Sequence, residues 1–262
     1  MNRSPPLLID EKEGYALLTL NRPEERNTLS DEMIAALMEA FTRFELRKDI
    51  RALILAAQGS VFSAGHDLKE MGQHREDHDR GRSAFEGLLA RCARMMKKII
   101  TLPQPVIAAV EGIATAAGCQ LVATCDLAIA GEEAHFATPG VHIGLFCSTP
   151  MVALSRAVSR KAAMEMLLLG DLVNADHALR IGLVNRVVPK GDACTSAEMI
   201  ARAIASKSAA TVAIGKRAFY EQAEMSLDDA YHHASRVMVE NMLARDAEEG
   251  IAAFLEKRKP HW

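Results

Sequence analysis

Three short segments hold residues whose types and spacing could do chemistry. The first is Phe62-Ser63-Ala64-Gly65-His66-Asp67-Leu68-Lys69. It reads as a glycine-containing turn from a buried strand into a short helical element. Successive backbone N–H groups in such a turn point outward together and can bind a negative oxygen. The same residues also suit a plain connecting loop with His66 exposed. The second is Gly112-Ile113-Ala114-Thr115-Ala116-Ala117-Gly118-Cys119-Gln120. Its small residues let backbone approach a ligand closely. A helix starting near Ala116 would offer unpaired N–H donors and the positive end of its dipole. Tight helix-on-sheet packing explains the same composition, so both readings stand. The third, Thr138 to Pro150, is too punctuated for one regular element, and irregular backbone on a rigid scaffold often lines a site. It contains His142 and Cys147, a base and a nucleophile by type, but no third residue to orient them is evident.

Other chemistry is poorly supported. The nine histidines lack HxH and HExxH spacing, and no CxxC exists, so no metal site is expected. His74 and His78 are four apart but lie in a highly charged stretch, and His232 and His233 point to different sides of a helix. Neither GxGxxG nor GxxxxGK[ST] is present. The five cysteines, Cys92, Cys119, Cys125, Cys147 and Cys194, are odd in number and suit a reducing compartment rather than a disulfide framework.

The elements that must position these segments follow from length and pattern. A chain of 262 residues buries a sizeable core without staples. Its 31 basic and 34 acidic side chains speak against a nucleic-acid-coating surface. No apolar run reaches membrane-spanning length. The opening Met1–Pro6 has no apolar or Arg-rich leader, which gives a cytoplasmic expectation. Strands are expected at 15–20, 51–57, 106–110, 127–130 and 134–137. Helices are expected from Ser30 as N-cap to about 47, over 82–100 and over 115–123. Residues 72–81 read as a solvated segment. After about residue 150 the pattern turns helical, with only 183–188 extended. This order of elements favours an α/β layered fold with crossovers. Val237, Met238, Val239, Met242 and Leu243 leave the helix over 227–243 little polar face, which fits either ordinary core or a subunit interface.

Several stretches together resemble the enoyl-CoA hydratase/isomerase family, the crotonase superfamily. They are Leu20-Asn21-Arg22-Pro23, Phe62 to Lys69, Pro105 to Gly112, Gly118 to Leu121 leading into Cys125 to Ala130, Phe136 to Gly144, and Gly182 to Pro189. The resemblance runs from about Leu8 to Lys259. It implies an α/β fold: a crotonase-like ββα spiral core over residues 1–190 and a C-terminal helical trimerisation region over 191–262, in one continuous family domain. It implies a homotrimer or a dimer of trimers, and a coenzyme A thioester as substrate or ligand with no tightly bound cofactor. Two backbone N–H groups would form an oxyanion hole, here at His66 and at Ala117. Alanine replaces the family's usual glycine at the second position, which is tolerated if its backbone is not left-handed. Arg26, Ala64, His66, Asp67, Leu68 and Lys69 would line the CoA, and Lys216 and Phe219 match positions that approach it. The wall formed by residues 72–100 would set acyl length.

The departures carry the mechanism. The family's first catalytic glutamate falls at Gln120 and its second at Gly140, and the aspartate of the dienoyl-CoA isomerase branch falls at Ser148. A glutamine orients water but cannot take its proton at neutral pH. The resemblance lies nearest the subgroup of enoyl-CoA hydratase domain-containing proteins that lacks both glutamates. It implies an acyl-CoA-binding member whose hydratase activity is weak or absent. The alternative is a non-catalytic acyl-CoA binder or regulator in fatty-acid metabolism.

Overall fold

The computed structural model describes residues 3–262, so Met1 and Asn2 of the opening segment lie outside it. Among the described residues, ten strands form two sheets. They are β1 (Leu7–Lys12), β2 (Tyr15–Leu20), β3 (Ala52–Ala57), β4 (Val61–Ser63), β5 (Val106–Val110), β6 (Ile113–Thr115), β7 (Leu127–Gly131), β8 (His135–Ala137), β9 (Val173–Asn174) and β10 (Arg186–Val188). One sheet runs β1-β2-β3-β5-β7-β10 and the other β4-β6-β8-β9. All pairings are parallel except β1 with β2 and β8 with β9. Each circuit of the chain therefore lays one strand in each sheet and returns through a helix, which is the expected ββα spiral.

The first helices are α1 (Asp31–Glu45), α2 (Leu68–Gln73), α3 (Arg82–Thr101) and α4 (Ala117–Thr124). Ser30 caps α1 by accepting from the Met33 N–H, as expected. The second half adds α5 (Pro150–Ala157), α6 (Arg160–Leu169), α7 (Ala175–Ile181), α8 (Ala193–Ala205), α9 (Ala209–Gln222), α10 (Leu227–Met242) and α11 (Arg245–Leu255). Four strands depart from the sequence reading. β1 is half apolar and half charged (Leu7-Leu8-Ile9, then Asp10-Glu11-Lys12), β4 sits in what reads as a loop, β6 takes the start of the expected 115–123 helix, and β9 precedes α7 where only helix is expected. All four are held by partner strands, a force invisible in a local window. The 72–81 segment holds the end of α2, the 3-10 turn His74–Glu76 and further turns, and Asp79 accepts the N–H groups of Gly81 and Ser83 to start α3.

Strand β3 shows why the sheet is buried on both sides. Leu53 and Leu55 face one core with α1, α3 and α4, while Ala52, Ile54 and Ala56 face a second. Period-two alternation sends successive side chains to opposite faces. The second core is closed by α8, whose Ala193, Ala197 and Ala201 are fully buried against that face. Alanines four apart form one helix stripe and allow close approach. This helix lies beyond residue 190 yet covers the central sheet. Beyond it, α9 and α10 have no buried residue and α11 has only Ala253.

Candidate active site

β4 and β6 are parallel neighbours that end at Ser63 and Thr115. The chain leaves both carboxyl ends in the same direction, the end of parallel strands where ligands commonly bind. The loop after β4 is fixed on one side by residues 26–29. The Ala64 N–H donates to the Arg26 carbonyl at 3.0 Å, and the Leu29 N–H donates to the Gly65 carbonyl at 2.7 Å. On the other side it touches the start of α4. Gly65 has φ +88°, and a β-carbon there would lie 2.9 Å from the Ala117 nitrogen. A β-carbon on Gly118 would lie 2.2 Å from the Ser63 carbonyl oxygen, so only glycine fits.

The two segments thus deliver the His66 and Ala117 amides beside one another. Ala117 begins α4, whose first internal bond runs from the Gln120 N–H to the Ala116 carbonyl at 3.0 Å. Its own N–H is therefore one of the orphan donors of a helix start. Among the described residues neither the His66 N–H nor the Ala117 N–H donates to a protein acceptor. Ala117 is not left-handed, so alanine is accommodated there. The unusual backbone sits one residue earlier, at Ala116 with φ 51° and ψ −120°. That conformation favours glycine and costs roughly 1–3 kcal/mol in other residues.

The glutamate positions are occupied differently. Gln120 is 5% exposed, and its side-chain Oε1 is buried without a partner. Gly140 lies in the 3-10 turn Pro139–Ile143, and its carbonyl accepts from the Leu145 N–H at 2.9 Å. A β-carbon on Gly140 would meet the Leu145 carbonyl oxygen at 2.8 Å and Cys147 Sγ at 3.0 Å. The 145–147 segment therefore fills the space from which a glutamate side chain would start. Burial raises the Cys147 thiol and pushes Cys119 up to about 12, so neither is a thiolate at neutral pH. His142 is exposed and directs Nε2 to the Leu169 carbonyl at 2.8 Å. The His142–Cys147 pair is not assembled. Ser148 is also exposed and donates to the Phe146 carbonyl at 3.3 Å.

His66 supplies a feature that sequence reasoning missed. Its ring Nδ1 lies 3.2 Å from the Leu29 carbonyl, which can only accept, so Nδ1 carries the proton. Nε2 is buried and unpartnered. Burial holds the imidazole below its ordinary pKa and outweighs the Leu29 bond and the charge of Asp31. No pattern of residue types signals this, because the partner is a main-chain carbonyl 37 positions away.

The CoA-lining expectations divide. Arg26 is exposed in the segment that holds the loop after β4, and Lys69 is exposed in the first turn of α2. Leu68 is exposed, and the Ala64 carbonyl accepts from Thr115 Oγ1 at 3.3 Å. Asp67 caps α2 by accepting the N–H groups of Lys69 and Glu70. Lys216 is a correction. Its Nζ donates to the Ile99 carbonyl at 2.8 Å, the Gln104 carbonyl at 2.9 Å and Asp126 Oδ2 at 2.7 Å. All three ammonium protons are spent inside the protein, leaving none for a phosphate. Phe219 is exposed beside a separate cleft of about 360 Å³ that Pro105, Leu127 and Val212 also line. A second cavity of about 210 Å³ lies between α1, α2 and α3, lined by Met71, Phe85, Leu88, His74, Asp31 and Arg91.

The family model for enoyl-CoA hydratase/isomerase matches residues 10–262. The chain belongs to this family. Enoyl-CoA hydratase domain-containing protein 3, mitochondrial, of Xenopus laevis is 45% identical and aligns over 100% of this chain and 87% of its own length. The human protein of that name is also 45% identical, over 98% of this chain and 83% of its own. Its crystal structure superposes with TM-score 0.92, covering 98% of this chain and 100% of that one. An enoyl-CoA hydratase structure from Mycobacterium smegmatis has TM-score 0.93 and 52% identity, over 99% of both chains. These relatives correct the cytoplasmic expectation, since the animal proteins are named mitochondrial. Members of the enoyl-CoA hydratase/isomerase family act on acyl-CoA thioesters. No described helix is long and apolar enough to cross a membrane, and no group of three metal-ligand side chains occurs among the described residues.

Proposed function

We propose that this enoyl-CoA hydratase/isomerase family member binds an acyl-CoA thioester with its carbonyl oxygen between the His66 and Ala117 amides. The carrying observation is that both N–H groups stand unspent at adjacent strand ends. A preorganised donor of this kind contributes ~10²–10³ in rate when charge develops on the oxygen. A positioned acid or base contributes ~10²–10⁴. With Gln120 and Gly140 at the glutamate positions, hydration by the paired-carboxylate route is weak or absent. A non-catalytic acyl-CoA binder or regulator is the second reading, favoured by the filled space at Gly140. Arg26 and Lys69 would face the CoA phosphates.

The reading includes self-association into trimers. Met238, Val239 and Met242 on α10, Leu243 just after it and Phe254 on α11 are all more than half exposed, more apolar surface than a monomer normally leaves open.

Calorimetry with butyryl-CoA and crotonyl-CoA tests the binding. Saturable heat with both supports it, and no heat together with no thermal protection overturns it. Turnover of crotonyl-CoA by Gln120→Glu tests the chemistry. Adding Gly140→Glu requires the 145–147 segment to move, so the single variant is the cleaner gain-of-function test. Light scattering that reports a monomer would remove the trimer from the reading.

A further inference from the structure

The cavity of about 210 Å³ between α1, α2 and α3 is walled by elements that continue directly from the residues holding the His66 amide. We infer that this cavity takes the acyl chain and that Phe85 is the stop that limits the chain to about eight carbons. The inference rests on the acyl-CoA reading above and names its substrate class, a short- to medium-chain acyl-CoA with a neutral chain end.

The place of the cavity carries the first part. Asp67, next to His66, caps α2, and the Met71 N–H donates to the Asp67 carbonyl at 3.0 Å. Met71 lines the cavity, so this wall begins roughly 8 Å along the chain from the His66 amide. Asp31 lines it from α1. It comes two residues after Leu29, whose N–H donates to the Gly65 carbonyl and whose carbonyl accepts from His66 Nδ1. The charge of Asp31 acts on the His66 ring, which puts that end of the cavity beside the amide.

The far end carries the second part. Arg91 of α3 grips Asp31 at the end beside His66 through bonds of 2.6–3.0 Å. Phe85 stands six residues earlier on α3, roughly 9 Å along the helix axis. Its ring cannot withdraw. Gly81 has φ +86°, and a β-carbon there would lie 2.7 Å from Phe85 Cζ and 2.8 Å from the His74 carbonyl oxygen. The ring is therefore seated against main chain and forms an end wall. At about 30 Å³ for a water-sized group, 210 Å³ holds roughly seven methylenes, which with the thioester carbon make an acyl group of about eight carbons. Met71, Phe85 and Leu88 give that chain apolar surface to lie on. Most of the charged lining is already spent, Arg91 on Asp31 and His74 on Asp77. Glu70 has no side-chain partner among the described residues, and an unpaired carboxylate repels a chain that ends in a second one.

Calorimetry with butyryl-, octanoyl- and dodecanoyl-CoA reads the cavity. Each buried methylene is worth about fourfold in affinity, so the wild-type chain is expected to bind octanoyl-CoA about 200-fold tighter than butyryl-CoA. Beyond the stop the gain ends, and dodecanoyl-CoA is expected within a few-fold of octanoyl-CoA. Phe85→Ala removes the end wall and is expected to raise the dodecanoyl-to-octanoyl affinity ratio about tenfold or more. Ala84 also lines the cavity. Ala84→Phe fills it and is expected to lower the octanoyl-to-butyryl ratio about tenfold or more, and it decides alone should Phe85→Ala not fold. A wild-type octanoyl-to-butyryl ratio below about tenfold, a gain that continues undiminished to dodecanoyl-CoA, or ratios that move in neither variant overturns the inference and leaves the acyl-CoA reading standing. Absence of binding with all three thioesters overturns both.

Discussion

Two buried polar clusters sit at opposite kinds of strand end, and they treat their hydrogen bonds differently. At the amino ends of β5 and β7, Asp126 accepts from the Val106 N–H at 2.7 Å, Lys216 Nζ at 2.7 Å and Tyr220 OH at 3.0 Å. Gln104 Nε2 adds bonds to the Phe44 and Arg47 carbonyls. Only Gln104 Oε1 is left over. At the carboxyl ends of β4 and β6, two amides, His66 Nε2 and Gln120 Oε1 all lack partners. Unmade bonds in a buried region cost stability. Saturation marks the first cluster as a fastener that holds α9 to the core. Incompleteness marks the second as a place for something else. The fastener took a residue that the family resemblance assigned to the ligand.

The comparison can be broken from either side. Lys216→Met leaves Asp126 buried without its cation and is expected to lower stability by about 3–5 kcal/mol. The shift in urea midpoint at unchanged slope measures it. A fall in CoA affinity with unchanged stability would instead return Lys216 to the ligand. Gly65→Ala places a methyl 2.9 Å from the Ala117 nitrogen at φ +88°. It is expected to weaken butyryl-CoA binding by about tenfold, the value of one hydrogen bond of about 1.4 kcal/mol, as read by calorimetry. Ala116→Gly relieves the positive φ and should raise stability by about 1 kcal/mol after glycine's entropy cost. That is a rise of about 2–4 °C in Tm for a chain this size.

The smallest effect concerns pH. Burial places the His66 pKa below its ordinary 6.5 in the folded protein. Between the two values the unfolded chain binds more protons, so stability rises with pH across that window. The contribution is fully present above 6.5 and is lost as pH falls through the folded value. His66→Gln should flatten this part of the stability–pH curve, measured by urea unfolding below pH 6.5. An unchanged slope would place the ring in solvent and remove the buried acceptor from the comparison.

Much of this arrangement is legible in particular residues. Ser30 with Asp31 and Glu32 marks the start of α1, and the apolar run of β3 reads as a strand covered on both faces. Ala64-Gly65-His66 and Ala116-Ala117-Gly118 mark the two turns that meet at the proposed site, because small residues permit a close approach that larger ones forbid. The three-residue strands β4 and β6 are not legible, since their pairing energy comes from each other. The role of Lys216 is hidden for a related reason. Its acceptors are Asp126 and two main-chain carbonyls, all about 90 or more residues away. The tautomer of His66 likewise depends on a carbonyl, and every residue type carries one.

Local chemistry along the chain determined which segments form helices and strands, where the loops must be small, and that no carboxylate stands at position 120 or 140. Those properties depend on side-chain type and spacing alone. Folding in three dimensions decided which polar groups meet. It joined the loops of His66 and Ala117, spent the charge of Lys216 inside the protein, and filled the space beside Gly140 with Cys147. Hydrogen bonds and van der Waals contacts act over a few ångströms, so their outcome depends on which distant segments the fold brings together.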